Sequence, residues 1–336
     1  MLFAIAAGMA ALGLAIPAPS PRPLFDWRRL GASAGVAGAA VHGETLLVWG
    51  DRIEWRRLAG GVAHAAPFPT LAACWTDLDG DGLADVVACE RSGALVWYRA
   101  PAWRRQVVGE GVDAPDLMGA TLFGHRGLLL IHKRMVLRFY PVAADPSAAW
   151  PERDLYSIYT PSWQGGLALA DVDGDGRLDI LCGNYWVRAP ERDGLPWRLF
   201  AINTWTEEEG SGMMRVAPFG RGMATAQRLL PEGRVAWLEK PADPREQWTP
   251  RLLGRFDRPD SLEAADFDGD GAVDLIVAER GAAGRVLLLR GPGFTPVELR
   301  RGEPVVALRA VPRPGRPPDL VLVTARGVEY GRNGAR

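Results

Sequence analysis

An all-β fold, a β-propeller of seven four-stranded blades, is what this sequence predicts, and three observations predict it. An aspartate-rich nonapeptide recurs at even spacing, half of that spacing is the length of one four-stranded blade, and an aromatic strand ending in proline recurs alongside. The nonapeptide reads Asp77-Leu-Asp79-Gly-Asp81-Gly-Leu83-Ala-Asp85, then Asp171-Val-Asp173-Gly-Asp175-Gly-Arg177-Leu-Asp179, then Asp266-Phe-Asp268-Gly-Asp270-Gly-Ala272-Val-Asp274. From Asp77 to Asp171 is 94 residues and from Asp171 to Asp266 is 95, so one blade takes about 47. Each copy follows a short apolar run (LAACW, GLALA, SLEAA) and precedes a β-rich one (VVACE, ILCGN, LIVAE), which places it in the turn of a hairpin.

The elements follow in order. Blades are expected at 35–68, 70–109, 118–157, 166–203, 213–254, 262–300 and 304–331. The segments FGHRGLLLIHKRMVLRFYP (123–141) and FGRGMATAQRLLPEGRVAWLEKP (219–241) keep the strand, loop, strand, aromatic, proline order without the aspartates. Asp319-Leu320-Val321 lies 45 residues beyond Asp274 and repeats its opening. The aromatic landmark is VWYRAPAWRRQVV (96–108), YWVRAPERDGLPWRLF (185–200) and VAWLEKPADPREQWTPRLL (235–253), and its Trp and Tyr residues read as packing between blades. The last blade has only three strands of its own. Residues 25–30, with Trp27-Arg28-Arg29 matching Trp103-Arg104-Arg105, supply the fourth and close the ring, which removes two long sheet edges. The propeller is thus expected over 25–331, with a tail at 332–336.

Four carboxylates within nine residues repel one another unless a cation neutralises them. Calcium takes six to eight oxygens: positions 1, 3, 5 and 9 offer carboxylates and the carbonyl at position 7 (Leu83, Arg177, Ala272) another, while glycines at positions 4 and 6 allow the turn. An EF-hand would need glutamate at position 12, where Ala88, Cys182 and Val277 stand. With these residues in view, the three loops resemble the calcium-binding loops of the FG-GAP/VCBS repeat family, seven-bladed propellers related to the integrin α head. That resemblance implies three calcium ions: one on Asp77, Asp79, Asp81 and Asp85, a second on Asp171, Asp173, Asp175 and Asp179, a third on Asp266, Asp268, Asp270 and Asp274. It implies metal-free blades one, three, five and seven, and a ligand surface on the opposite face.

On that face the chain offers Asp113-Ala-Pro-Asp116-Leu-Met118, Tyr159-Thr-Pro-Ser-Trp163-Gln164, Asn203-Thr-Trp205-Thr-Glu207-Glu208-Glu209 and Arg258-Pro-Asp260-Ser261. Acids and aromatics converging on a channel mouth suit a glycan or a protein ligand, with Asp116, Trp163, Gln164, Trp205, Glu208 and Asp260 as candidates. The strand and proline pattern also resembles propellers attached to sugar-processing lyases such as aldos-2-ulose dehydratase, and a purely structural envelope protein is a third reading. The four histidines, His42, His64, His125 and His132, fall outside the mouth segments, and no Ser/His/Asp, Cys/His or phosphate-cradling motif occurs, so binding is favoured over catalysis.

The 336 residues are 48% hydrophobic and 24% charged, the signature of a folded chain, and a net charge of -1 argues against a nucleic-acid partner. Residues 1–21 carry no charge and their apolar run breaks at Pro17, short of a bilayer span. Residues 1–18 read as an export signal, or as an N-terminal anchor that would be the only membrane contact, and the destination is periplasmic, extracellular or cell-surface. Cys74, Cys89 and Cys182 are too few for a disulfide framework, although an oxidising compartment could link Cys74 to Cys89.

Overall fold

The computed structural model describes residues 23–159, 165–203, 214–228 and 230–335. Among them are 28 strands in seven antiparallel sheets of four, and no helix. The blades span 36–66, 70–109, 117–157, 167–201, 214–256, 259–300 and 305–333. First strands of neighbouring blades touch one another at six of the seven junctions and so line the central channel. The export-signal reading of residues 1–18 lies outside the described residues.

Each blade is sandwiched between two others, and this explains the sequence of its second strand. Asp85–Glu90 and Asp274–Glu279 are buried at every position, so they read as continuous apolar runs rather than as alternating ones. Outermost strands such as Arg104–Gly109 face water on one edge and carry the arginines. Between blades lie seven apolar clusters of seven to fourteen buried residues each. At roughly 1.5–3 kcal/mol per large side chain these clusters are the main source of stability. Trp55, Trp97 and Trp186 are fully buried in them, as the interblade reading of the aromatic landmark requires.

The ring closes as the terminal sequence predicts. Phe25–Gly31 pairs antiparallel with Val328–Asn333, Phe25 opposite Asn333 and Trp27 opposite Gly331. The last strand reaches Asn333, two residues past the expected boundary, because the Gly334 N–H still donates to the Leu24 carbonyl at 2.9 Å. Pro23, Leu24, Gly334 and Ala335 gather beside Asp268–Asp270, on the face that carries the aspartate loops.

The Cys74–Cys89 link does not form. Register sets Cys74 opposite Val87 and Cys89 opposite Ala72, so the thiols miss each other along the ladder, and both are free. Burial pushes them up to about 12 and about 11, which makes them inert packing groups.

Candidate functional site

Each aspartate loop is a turn built by its own carboxylates. In the first, Asp77 accepts the N–H groups of Gly80 (2.7 Å) and Gly82 (3.1 Å), and the two glycines hold φ of 78° and 84°, a region costly for any residue with a Cβ. Asp171 and Asp266 do the same for Gly174 and Gly176, and for Gly269 and Gly271. The ninth residue opens the second strand and is fully buried. Asp85 accepts from Leu78 N–H (3.2 Å) and Ala100 N–H (2.9 Å), and Asp179 and Asp274 repeat both bonds with Val172 and Ala189, and with Phe267 and Gly291. Burial raises all three carboxyls above the ordinary range despite these bonds, and the neighbouring third-position aspartate pushes the same way.

The structure brings together positions 1, 3 and 9. Asp77, Asp79 and Asp85 each offer an oxygen within 4.8 Å of the others, as do Asp171, Asp173 and Asp179, and Asp266, Asp268 and Asp274. Oxygens held at about 2.3–2.6 Å from one calcium lie at most about 5 Å apart, so each triad has the span and the hard-oxygen chemistry for that ion. Position 5 stands aside: Asp81, Asp175 and Asp270 accept the N–H of Leu83, Arg177 and Ala272, which ties position 7 into the turn.

Sequence reasoning missed an arginine at every loop. Arg99 Nε lies 2.5 Å from Asp79 Oδ2, Arg188 Nε 2.5 Å from Asp173 Oδ2, and Arg290 Nε 3.1 Å from Asp268 Oδ2. Each ends the third strand of its blade and starts an Arg-Ala-Pro or Arg-Gly-Pro triplet, whose middle N–H is the one that binds the buried ninth aspartate. The triplets at Arg99 and Arg188 were visible within the aromatic landmark, and the recurrence of the pattern at Arg290, in the three blades that carry an aspartate loop, was the signal.

On the opposite face, Asp116 and Asp260 stand at the channel mouth, each engaged by arginine. Asp260, 4% exposed, receives Arg228 Nε at 2.5 Å, Arg280 at 3.0 Å and Arg215 at 3.5 Å. Asp116 accepts the Gly166 N–H at 2.7 Å and lies 3.8 Å from Arg215. Deeper in, Arg309 pairs with Glu263 at 3.3 Å. Burial and the nearby Arg215 push Arg228 below the usual arginine range. The candidates Trp163, Gln164, Trp205 and Glu208 lie outside the described residues. No spacing in the sequence marks these arginines, because they come from three blades, Arg215 and Arg228 from blade 5, Arg280 from blade 6 and Arg309 from blade 7.

No family model matches the chain, and no curated protein matches it in sequence. Solved structures resemble it across nearly its whole length. BBS1N in complex with ARL6DN has a TM-score of 0.62 at 11% identity, over 94% of this chain and 98% of that one. The β-propeller domain of Myceliophteria thermophila Cps50 (Swd1) has 0.60 at 10%, over 91% and 99%. The N-terminal domain of Nup159 has 0.55 at 10%, over 91% and 95%. At such identities the likeness concerns the fold alone. With seven four-stranded sheets in a ring closed by its own N-terminal strand, the chain is a seven-bladed β-propeller.

Proposed function

We propose that this protein is an exported propeller of the FG-GAP/VCBS type, stabilised by three calcium ions, that binds a protein partner on the face opposite its aspartate loops. The observation that carries the calcium part is the threefold recurrence of one triad, Asp77/Asp79/Asp85 and its two counterparts, with donor oxygens close enough to share an ion. Asp79 Oδ2 is buried, and Arg99 beside it is not aligned for a hydrogen bond, so that oxygen still lacks a well-directed partner. Bound calcium would neutralise each triad, supply what the buried carboxylates lack, and turn a net charge of -1 into +5. The role is structural, since the ninth aspartate is fully buried and no histidine joins any triad.

A protein partner is supported by two of the structural neighbours, one solved as BBS1N in complex with ARL6DN and another in which Dbp5 is bound to Nup159. The export reading rests on residues 1–18. Both the FG-GAP/VCBS assignment and the choice of calcium are tested by thermal unfolding of the protein with chelator and with 10 mM calcium. For millimolar sites, tenfold excess adds about 1.4 kcal/mol per site, or roughly 4 kcal/mol in all. The melting temperature should rise accordingly with calcium, and less with magnesium. Because the interblade clusters dominate stability, the chelated protein should stay folded. An identical melting curve in both buffers would remove calcium from the reading.

A further inference from the structure

We propose that the crown where blades 5 and 6 meet, on the face opposite the aspartate loops, binds a carboxylate carried on a peptide segment of a protein partner, held by Arg215 and Arg228 of blade 5 and Arg280 of blade 6. The proposal rests on the partner-binding reading above and names the chemistry that surface takes.

Arg215, Arg228 and Arg280 all reach one carboxylate, Asp260, at 3.5, 2.5 and 3.0 Å. The only other acid in contact with this group is Asp116, 3.8 Å from Arg215, so three cations meet two anions at the mouth among the described residues. The neighbouring Arg309–Glu263 pair is balanced within itself. Arg228 is nearly buried, and burying a cation beside another without matching anions is costly, so an incoming carboxylate gains what the protein leaves uncompensated. Guanidinium suits the task because its planar donors take a carboxylate two bonds at a time.

The other flank of the same crown says what carries the carboxylate. Trp186 and Met223 belong to one core cluster between blades 4 and 5. Side chains alternate along a strand, so Thr225 and Gln227, two and four beyond Met223, point into that same interface, toward the crown. Asn184, in the turn just before Tyr185–Arg188, is tied to the same cluster by its carbonyl, which accepts the Ile202 N–H at 2.7 Å. Asn184 Nδ2 and Oδ1, Thr225 Oγ1 and Gln227 Nε2 are all buried and have no hydrogen-bond partner among the described residues. Two amide donors, an amide acceptor and a hydroxyl, all neutral, complement the C=O and N–H of a peptide group. A peptide whose acidic side chain enters the arginine mouth can lay its backbone across blade 5 toward these atoms.

The test is fluorescence anisotropy on the calcium-supplemented chain from residue 19 onward. The probe is a fluorescein-labelled decapeptide of alternating glycine and glutamate, compared with the same peptide carrying glutamine. The glutamate peptide should bind at least tenfold more tightly, and Arg280→Gln should weaken it at least tenfold while the melting temperature holds. Arg228→Met should do the same, but it strips Asp260 of its nearest cation. Arg280→Gln, on a more exposed side chain, therefore carries the result. Arg245→Gln, at a salt bridge to Asp243 on the other face of blade 5, should change nothing. Equal binding of the two peptides, or full binding by Arg280→Gln, overturns the proposal. Oligogalacturonate that binds as tightly as the peptide overturns its peptide half. A partner that cross-links equally to wild type and Arg280→Gln sinks this inference and leaves partner binding standing, whereas failure of the wild type to capture any protein takes both down.

Discussion

Blades 6 and 7 each carry a buried aspartate on the second strand, Asp274 and Asp319, and neutralise it in opposite ways. Asp274 accepts the Gly291 N–H at 2.8 Å, and Asp319 accepts the Asn333 N–H at 2.7 Å from the matching place on its third strand. Around Asp274 stand Asp266 and Asp268; around Asp319 stand Arg313 (2.5 Å), Arg316 (2.8 Å) and the Tyr330 hydroxyl. Burial raises Asp274. At Asp319 burial pushes the same way, but Arg316, Tyr330, the Asn333 N–H and Arg313 together hold the carboxyl at about 2. Blade 7 surrounds its buried aspartate with arginines of the chain, whereas blades 2, 4 and 6 surround theirs with two further aspartates that could hold a metal ion. On the calcium reading proposed above, the blade that joins the two ends of the chain has a buried aspartate whose charge balance is independent of the ion.

Experiments can break or sharpen that contrast. The largest effect belongs to Asp319→Ala, which leaves Arg313 and Arg316 beside a buried hole. It should cost about 3–5 kcal/mol in urea unfolding, by the same amount with and without calcium. Acid probes the same carboxylate more gently. Its folded value of about 2 lies below the ordinary value near 3.9, so its contribution is complete above about pH 4 and is lost as pH falls toward 2. Stability of Asp319→Ala should therefore be flatter than wild type across that window, and parallel acid profiles would argue against the pairing. Next comes Asp85→Asn, which should remove about 1.4 kcal/mol of calcium-dependent stabilisation, one site of three. Smallest is Arg99→Gln. Removing a cation from beside Asp79 should tighten calcium binding about threefold to fivefold by calorimetry, an effect kept modest because Arg99 is largely exposed. Weaker binding would mean that the arginine organises the loop instead of competing with the ion.

What was legible in the sequence was whatever repeats. The nonapeptide gave the blade length, and Trp27-Arg28-Arg29 located the closing strand, because a fourth strand with that signature had already appeared at Trp103. Asp319 was recognisable as a partial copy, yet its arginines were not, since Arg313 and Arg316 precede it in a proline-rich turn with no counterpart elsewhere. The mouth acids Asp116 and Asp260 could be nominated from their place at the heads of first strands. The cations on them come from blades 5 and 6, and only the closed ring brings them together. The position-5 aspartates show a limit of another kind. Their spacing matched a ligand, and the folded turn adds a task the spacing does not show, since Oδ1 of each accepts the N–H of position 7.

The closing strand also gives the molecule a direction. Pro23 and Leu24 leave the ring next to Asp268–Asp270, so any residues ahead of them depart from the aspartate-loop side. A protein held at its N-terminus would therefore turn its aspartate loops toward the attachment point and present the arginine mouth outward. Orientation on a surface would follow from which end of one strand meets the tether, with no second anchor required.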